Sequence, residues 1–311
     1  MPRHRNVAAS ASRRGPEHLH GSLLRGARGE VPPNVALMQL LIDAREPGEV
    51  ERAITAAVEQ FSYDGDTAGA ERLRHIAHLW RSTPDAFRTV KQIVSAIDHR
   101  APAAPDAEGV ALWASMFDRA ARLSPEASVA LYSLGRADLL AAATAEIVAG
   151  LRAWGVLRAG QSILEIGCGI GRFIQAVADG ARIVVGIDVS AEALKIARRR
   201  CEGAANALIV RSSGRDLALF ADRSFDLVLA VDVFPYLVQS GLAAAHVRDA
   251  ARVLAPGGTL VLLNYSYRGD VAADCREIAG LAADAGFIVH RNGTRDFTSW
   301  DGLAFQLERA W

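Results

Sequence analysis

ILEIGCGIGRF, residues 163–173, decides the fold: an apolar run closes on an acid, and glycines follow at 167, 169 and 171. A short apolar run bounded by glycine reads as a buried strand. Alternating glycines straight after it let the backbone take conformations closed to other residues, and let a ligand approach without meeting a Cβ. Without a ligand the same loop is a tight strand-to-helix turn. A second feature favours a ligand: the next predicted strand ends in GID, and Asp188 stands 23 positions after Glu165, about the spacing at which an acid meets the two hydroxyls of a ribose. A carboxylate suits a vicinal diol because it accepts both hydroxyl hydrogens. Capping of a helix at Ala191 by Asp188 or Ser190 is compatible with that role. Dinucleotide sites need G-x-G-x-x-G, whose last glycine lets the helix pack close below a pyrophosphate. Here the run is G-C-G-I-G-R, with the third glycine one position early and Arg172 where the dinucleotide glycine would stand. The loop therefore reads as a nucleoside site without a pyrophosphate.

Working outward, strand patterns fall at residues 162–166, 182–187, 208–211, 225–231, 259–264, 287–290 and 304–307, and helical patterns fill the first gaps at 172–178, 191–201 and 243–254. Near-continuous apolar strands alternating with helices imply a parallel, doubly wound sheet covered on both faces. The last two strands, joined by a loop, read as an antiparallel edge. Before the first strand lie a helix around 110–121, a start signal at Ser124-Pro125 and a long apolar helix at about 138–154.

Residues 32–100 carry apolar positions at helical spacing throughout and read as a small all-helical unit, with no repeat of a fixed period. Breakers cluster after it, so residues 101–109 are the expected linker and 110–311 the ligand-binding domain with lead-in helices. Residues 1–31 hold six arginines against Glu17 and Glu30 and lack an apolar face or a secretory core; they read as a disordered basic tail, with a targeting segment as the alternative.

The chain has 311 residues, half of them apolar, with 35 basic and 35 acidic side chains. Zero formal charge argues against a broad electrostatic grip on nucleic acid or anionic membrane. No uninterrupted apolar stretch is long enough to span a membrane. The three cysteines are far apart with no C-x-x-C pair, which suits a reducing cytoplasm. His75 and His78 share a helix face but lack a third ligand, so no metal is expected.

Four motifs now stand in order: E-I-G-C-G-I-G-R-F, G-I-D-V-S after the second strand, S-F-D-L-V-L-A on the fourth and R-V-L-A-P-G-G-T-L before the fifth. Together they resemble the class I methyltransferases that use S-adenosylmethionine. The resemblance covers about 110–311 and implies a Rossmann-like, mainly parallel seven-stranded sheet. It implies that Glu165 helps hold the methionine amino group, with Gly167, Cys168, Gly169 and Gly171 forming the loop around the methionine and ribose. By the same resemblance Asp188 takes the ribose, Val189 packs on the adenine, Asp216 with the Leu217 backbone reads the adenine amino group, and Val231 lies beside the sulfonium. Asp222 is the competing acid and reads as a turn residue.

V-D-V-F-P-Y-L, residues 231–237, stands where that family places residues beside the acceptor. Asp232, Tyr236 and His290, in that order, are the candidates for substrate binding or proton removal; a strand-end cap and a buried ring are the structural alternatives for the first two. Pro256-Gly257-Gly258 reads as a structural turn, and Asn264, Tyr265, Ser266 and Tyr267 as a polar-aromatic cluster on the ligand side. Trp113, Phe117 and Tyr132 occupy the place of a lid. The expected activity is methyl transfer to an oxygen, nitrogen or carbon of a small molecule. A catalytically silent binding module acting through the helical unit is the alternative, and a homodimer through that unit remains open.

Overall fold

The computed structural model describes residues 16–98 and 107–310. Its helices are α1 (Pro16–Ala27), α2 (Pro33–Asp43), α3 (Pro47–Tyr63), α4 (Thr67–Ser82), α5 (Ala86–Ala96), α6 (Ala107–Leu123), α7 (Pro125–Val129), α8 (Ala137–Ala153), α9 (Arg172–Val177), α10 (Ala191–Arg200), α11 (Phe234–Gln239), α12 (Ala243–Val253) and α13 (Val271–Ala285). The strands are β1 (Ser162–Ile166), β2 (Ile183–Asp188), β3 (Ala207–Arg211), β4 (Phe225–Val231), β5 (Leu254–Leu263), β6 (Phe287–Thr294) and β7 (Ala304–Arg309).

Local chemistry sets the helix ends. Proline opens α2, α3 and α7, where its missing N–H is no loss. Ser124, Ser190 and Asp270 cap α7, α10 and α13 by accepting the N–H three residues on. Gly286, at φ 73°, ends α13 in the left-handed conformation.

The strands form one sheet in the order β3-β2-β1-β4-β5-β7-β6. β3 to β5 run parallel, and β7 is antiparallel to both neighbours, so the antiparallel edge is as expected while the last strand is inserted between β5 and β6. Winding reverses between β1 and β4, which puts the crevice for a ligand at their carboxyl ends. The turn read at Pro256-Gly257-Gly258 is a bulge within β5: Phe225 pairs with Leu254, but Leu227 already pairs with Thr259.

Period-two alternation divides the strands between two cores. Ile163, Val184, Leu227, Leu229, Val261 and Leu263 face α8 and α9, whereas Leu164, Val185, Val228, Ala230, Leu260 and Leu262 face α12 and α13. The first core does not stop at the sheet. It continues through Ile147 and Tyr132 to Leu37, Val35 and Leu23, so the helical unit shares the core of the sheet instead of packing by itself.

Two expectations about the first hundred residues change. Residues 1–15 lie outside the described part, but Pro16–Ala27, expected as tail, is helix, with Leu23 and Ala27 each 1% exposed against α2 and α4. Most of the linker, 101–106, also lies outside the described residues, and 107–109 already belong to α6.

Candidate functional site

Gly167, Gly169 and Gly171 all adopt positive φ, at 69°, 50° and 76°. The backbone N–H groups of Gly167 and Cys168 both donate to the Ile187 carbonyl, at 2.8 and 3.0 Å, which ties the loop to the end of β2. A Cβ on Gly167 would meet Val233 at 2.6 Å, and one on Gly169 would meet Val129 of α7 at the same distance. Gly171 faces elsewhere: Ala197 and Cys201, at the end of α10, would lie 3.0 and 3.2 Å from its Cβ. It is a packing glycine, not part of the ligand face. The Cys168 side chain also turns inward, 3% exposed against Gly186, and burial pushes its thiol up.

The Asp188 carboxylate accepts from Gly169 N and from Ser190 N, both at 2.8 Å. Burial raises its pKa while these backbone donors pull it back. An ionised carboxylate has about four acceptor positions, so Asp188 retains capacity for a ligand hydroxyl beside its backbone donors. Val189 lies beside Gly214, where a Cβ would approach its Cγ1 to 2.5 Å and Val110 of α6 to 3.0 Å. Gly214, in the G-R-D stretch after β3, is thus a close-packing glycine between Val189 and α6, a contact that residue spacing alone does not announce.

Asp216 and Leu217 depart from expectation. Asp216 is exposed and accepts Ala218 N in a local turn at 3.1 Å. Leu217 is fully buried; Asp249 takes its N–H at 2.7 Å and Arg252 donates to its carbonyl, so its backbone is committed to α12. Asp222, read as a turn residue, sits at the surface with Arg252.

Glu165 is 2% exposed, and its Oε2 has no hydrogen-bond partner. Burial lifts its pKa to about 8, partly offset by Arg172 and by the N–H of Ile174, while Asp188 adds to the rise. A buried carboxyl oxygen without a donor is costly unless one arrives, and an ammonium supplies it. With the paired-hydroxyl acceptor at Asp188, Glu165 fits the amino-acid and ribose ends of a nucleoside sulfonium.

Across the switch point, Val231 is buried at the end of β4, and Asp232 follows at φ 55°. Asn264, the residue after β5, at φ 73°, donates to Asp232 Oδ1 at 3.2 Å, and the Trp300 indole donates to the same carboxylate. Burial raises Asp232 to about 6, against the opposing pull of Arg172 and these donors. Tyr236 stands one helical turn on, edge to face with Trp113, Phe117 and Tyr267 at 4.9, 5.0 and 5.8 Å between centroids. Its hydroxyl bonds that of Tyr267, and burial pushes both phenols up. Tyr265 and Ser266 turn away, bonded to Glu277 and Asp274 of α13.

His290 is not brought to this place. It lies exposed on β6, at the far edge of the sheet, with Nε2 2.9 Å from Glu308 of β7. A histidine on a solvent-facing strand position carries no sign, in one sequence, of which edge its strand will join.

Helix α6, in the place expected of a lid, is anchored by charge and capping. Asp118 of α6 accepts Ser190 Oγ at 2.6 Å and Glu192 N at 3.0 Å, and Arg122 pairs with Glu192 at 2.9 Å. Trp113 Nε1 donates to Ser240 at 3.1 Å. Tyr132, the candidate lid contact, is 5% exposed with its hydroxyl accepting from Arg172 at 3.2 Å, and it is a core residue. No metal-binding cluster occurs among the described residues, and none of their helices is long and apolar enough to cross a membrane.

Residues 164–262 match the family described as "Methyltransferase domain". A demethylmenaquinone methyltransferase of Tropheryma whipplei (strain Twist) is 36% identical over 164 residues, 49% of this chain and 66% of that protein. A 2-methyl-6-phytyl-1,4-hydroquinone methyltransferase of Synechocystis is 30% identical over 129 residues, 40% of this chain and 39% of that protein. The chain thus spans less than two thirds of the length of these relatives. Among solved structures, phosphoethanolamine N-methyltransferase 1 of Haemonchus contortus, in complex with phosphoethanolamine and S-adenosylhomocysteine, shares the fold with TM-score 0.51 and 20% identity, covering 66% of this chain and 50% of that one. None of these similarities favours a silent binding module.

Proposed function

The sheet domain of this chain belongs to the class I S-adenosylmethionine-dependent methyltransferases, and from that premise we propose that the chain methylates a small molecule bearing an ionisable ring hydroxyl, of the hydroquinone kind. The observation that carries the acceptor side is Asp232: a half-buried carboxylate with a pKa near 6, close to the phenols of Tyr236 and Tyr267, whose rings pack with Trp113 and Phe117. The rings suit a flat aromatic acceptor, and quinol-type relatives point the same way.

When bound, S-adenosylmethionine supplies a methyl group already activated by its sulfonium. Glu165 holds the ammonium and Asp188 accepts the ribose hydroxyls. The backbone of the glycine loop, opened by the missing Cβ atoms, lets the donor lie close. Asp232 takes the acceptor hydroxyl's proton, and its tuned pKa keeps it largely ionised at neutral pH. The aromatic wall and the α6–α7 lid align the acceptor in line and exclude water.

Calorimetry with S-adenosylhomocysteine tests the donor half: micromolar binding is expected, weakened about tenfold or more by Asp188→Ala through loss of charge-assisted hydrogen bonds. Methyl-labelled donor, offered with hydroquinones, catechols and amines in parallel, tests the acceptor half. Binding of NAD with no response to the sulfonium defeats the donor reading. Label appearing on amines alone, or only in macromolecular fractions of a cell extract, defeats the acceptor reading.

A further inference from the structure

Arg172 marks the point where the loop departs from the dinucleotide pattern, and its surroundings are unusual for a cation. It is 7% exposed. Its Nη1 donates to two neutral hydroxyls, Tyr132 Oη at 3.2 Å and Thr144 Oγ1 at 3.3 Å. The guanidinium lies 4.4 Å from the centroid of the Phe173 ring. Among the described residues no carboxylate comes within ion-pair distance of it, although fourteen such pairs occur elsewhere. A guanidinium withdrawn from water needs a counter-charge, and hydroxyls and a ring supply only part of it.

The complementary deficit is next to it. Glu165 has an orphaned Oε2, and its carboxylate accepts the N–H of Ile174, two residues along the chain from Arg172. Arg172 is the opposite charge that acts most strongly on Glu165, yet the two do not pair. A buried carboxyl and a buried cation therefore stand close together beside the glycine loop, the first with an oxygen lacking a hydrogen-bond partner and the second with hydroxyl partners but no carboxylate at ion-pair distance. A zwitterion satisfies both at once, whereas a simple amine or a simple acid satisfies one.

We propose that Arg172 binds the α-carboxylate of the donor's methionine moiety while Glu165 binds its ammonium, so that the pair reads the donor as an amino acid. The assignment rests on the donor reading above. Its competitor is a structural role, in which Arg172 merely pins Tyr132 and α8 to α9.

The two roles separate by changing ligand and protein together. The native protein is titrated with S-adenosylmethionine and with decarboxylated S-adenosylmethionine, which keeps the ammonium and lacks the carboxylate. Native protein is expected to favour the intact donor by about ten- to hundredfold, the worth of a charge-assisted hydrogen bond. Arg172→Met is expected to lose that discrimination, binding both ligands with the weaker affinity, and Arg172→Lys to keep part of it. Equal affinities for the two ligands in native protein overturn the assignment without any variant being needed. A variant that binds both more weakly but still discriminates assigns Arg172 a structural role and also overturns it. Failure of native protein to bind either ligand shows that the donor reading is wrong, and the assignment falls with it.

Discussion

Replacing Glu165 with glutamine should make the ligand-free protein more stable, by an amount that grows with pH. The folded pKa is about 8 against an ordinary 4.5, because burial disfavours the charged form. A raised folded pKa means that the native state holds the proton more tightly than the unfolded chain. Its contribution is therefore fully present below pH 4.5 and is lost as pH rises toward 8. At about 1.4 kcal/mol per unit, the accumulated loss is on the order of 1 kcal/mol at pH 5, 3 kcal/mol at pH 7 and 4 kcal/mol at pH 8. Glutamine has nearly the same shape and no proton to lose. Urea denaturation of native protein and of Glu165→Gln across that range should show the gap opening with pH, while the variant loses donor binding. A gap that stays constant from pH 5 to 8, or native protein gaining on the variant as pH rises, refutes the reasoning.

Turnover should rise as pH climbs through about 6, where Asp232 ionises, and Asp232→Asn should cut kcat by about a hundredfold or more while leaving donor affinity within about threefold. A pH–rate profile unchanged in the variant argues against Asp232 as the base. Asp118→Ala removes the partner of Ser190 Oγ and Glu192 N, so donor affinity should fall by about fivefold and amide exchange in 107–129 should quicken. His290→Ala should leave kcat unchanged and cost less than about 1 kcal/mol of stability, as expected of an exposed pair; a large loss of activity would return His290 to the mechanism.

The glycine loop, the parallel strands and the position of Asp188 at the end of β2 were legible because their signals are local: apolar runs, residue types and short spacings. Long-range pairing is not local. Nothing in residues 304–309 announces that β7 enters between β5 and β6, and that insertion is what leaves His290 at the edge. The approach of Trp300, four residues before β7, to Asp232 is equally distant in the chain. Arg172 was visible only as a missing glycine; the direction of its side chain depends on Tyr132 and Thr144. Leu217 was misplaced because G-R-D-L looks like a ligand loop, whereas Asp249 and Arg252 on α12 claim its backbone. Composition misled at α1, where the arginines outweigh a short apolar stripe that includes Leu23.

Asp232 and Asn264 are both non-glycine residues at positive φ, and a hydrogen bond joins their side chains. Each costs on the order of 1 kcal/mol that glycine would avoid. A stabilisation campaign guided by backbone torsions alone would choose glycine at both positions, and would remove the hydrogen bonds that Asp232 accepts from Asn264 and Trp300. The product would lack the carboxylate proposed above as the proton acceptor. Any screen for improved variants of this chain therefore has to read methyl transfer alongside melting temperature, because at these two strand ends folding and function ask for different residues.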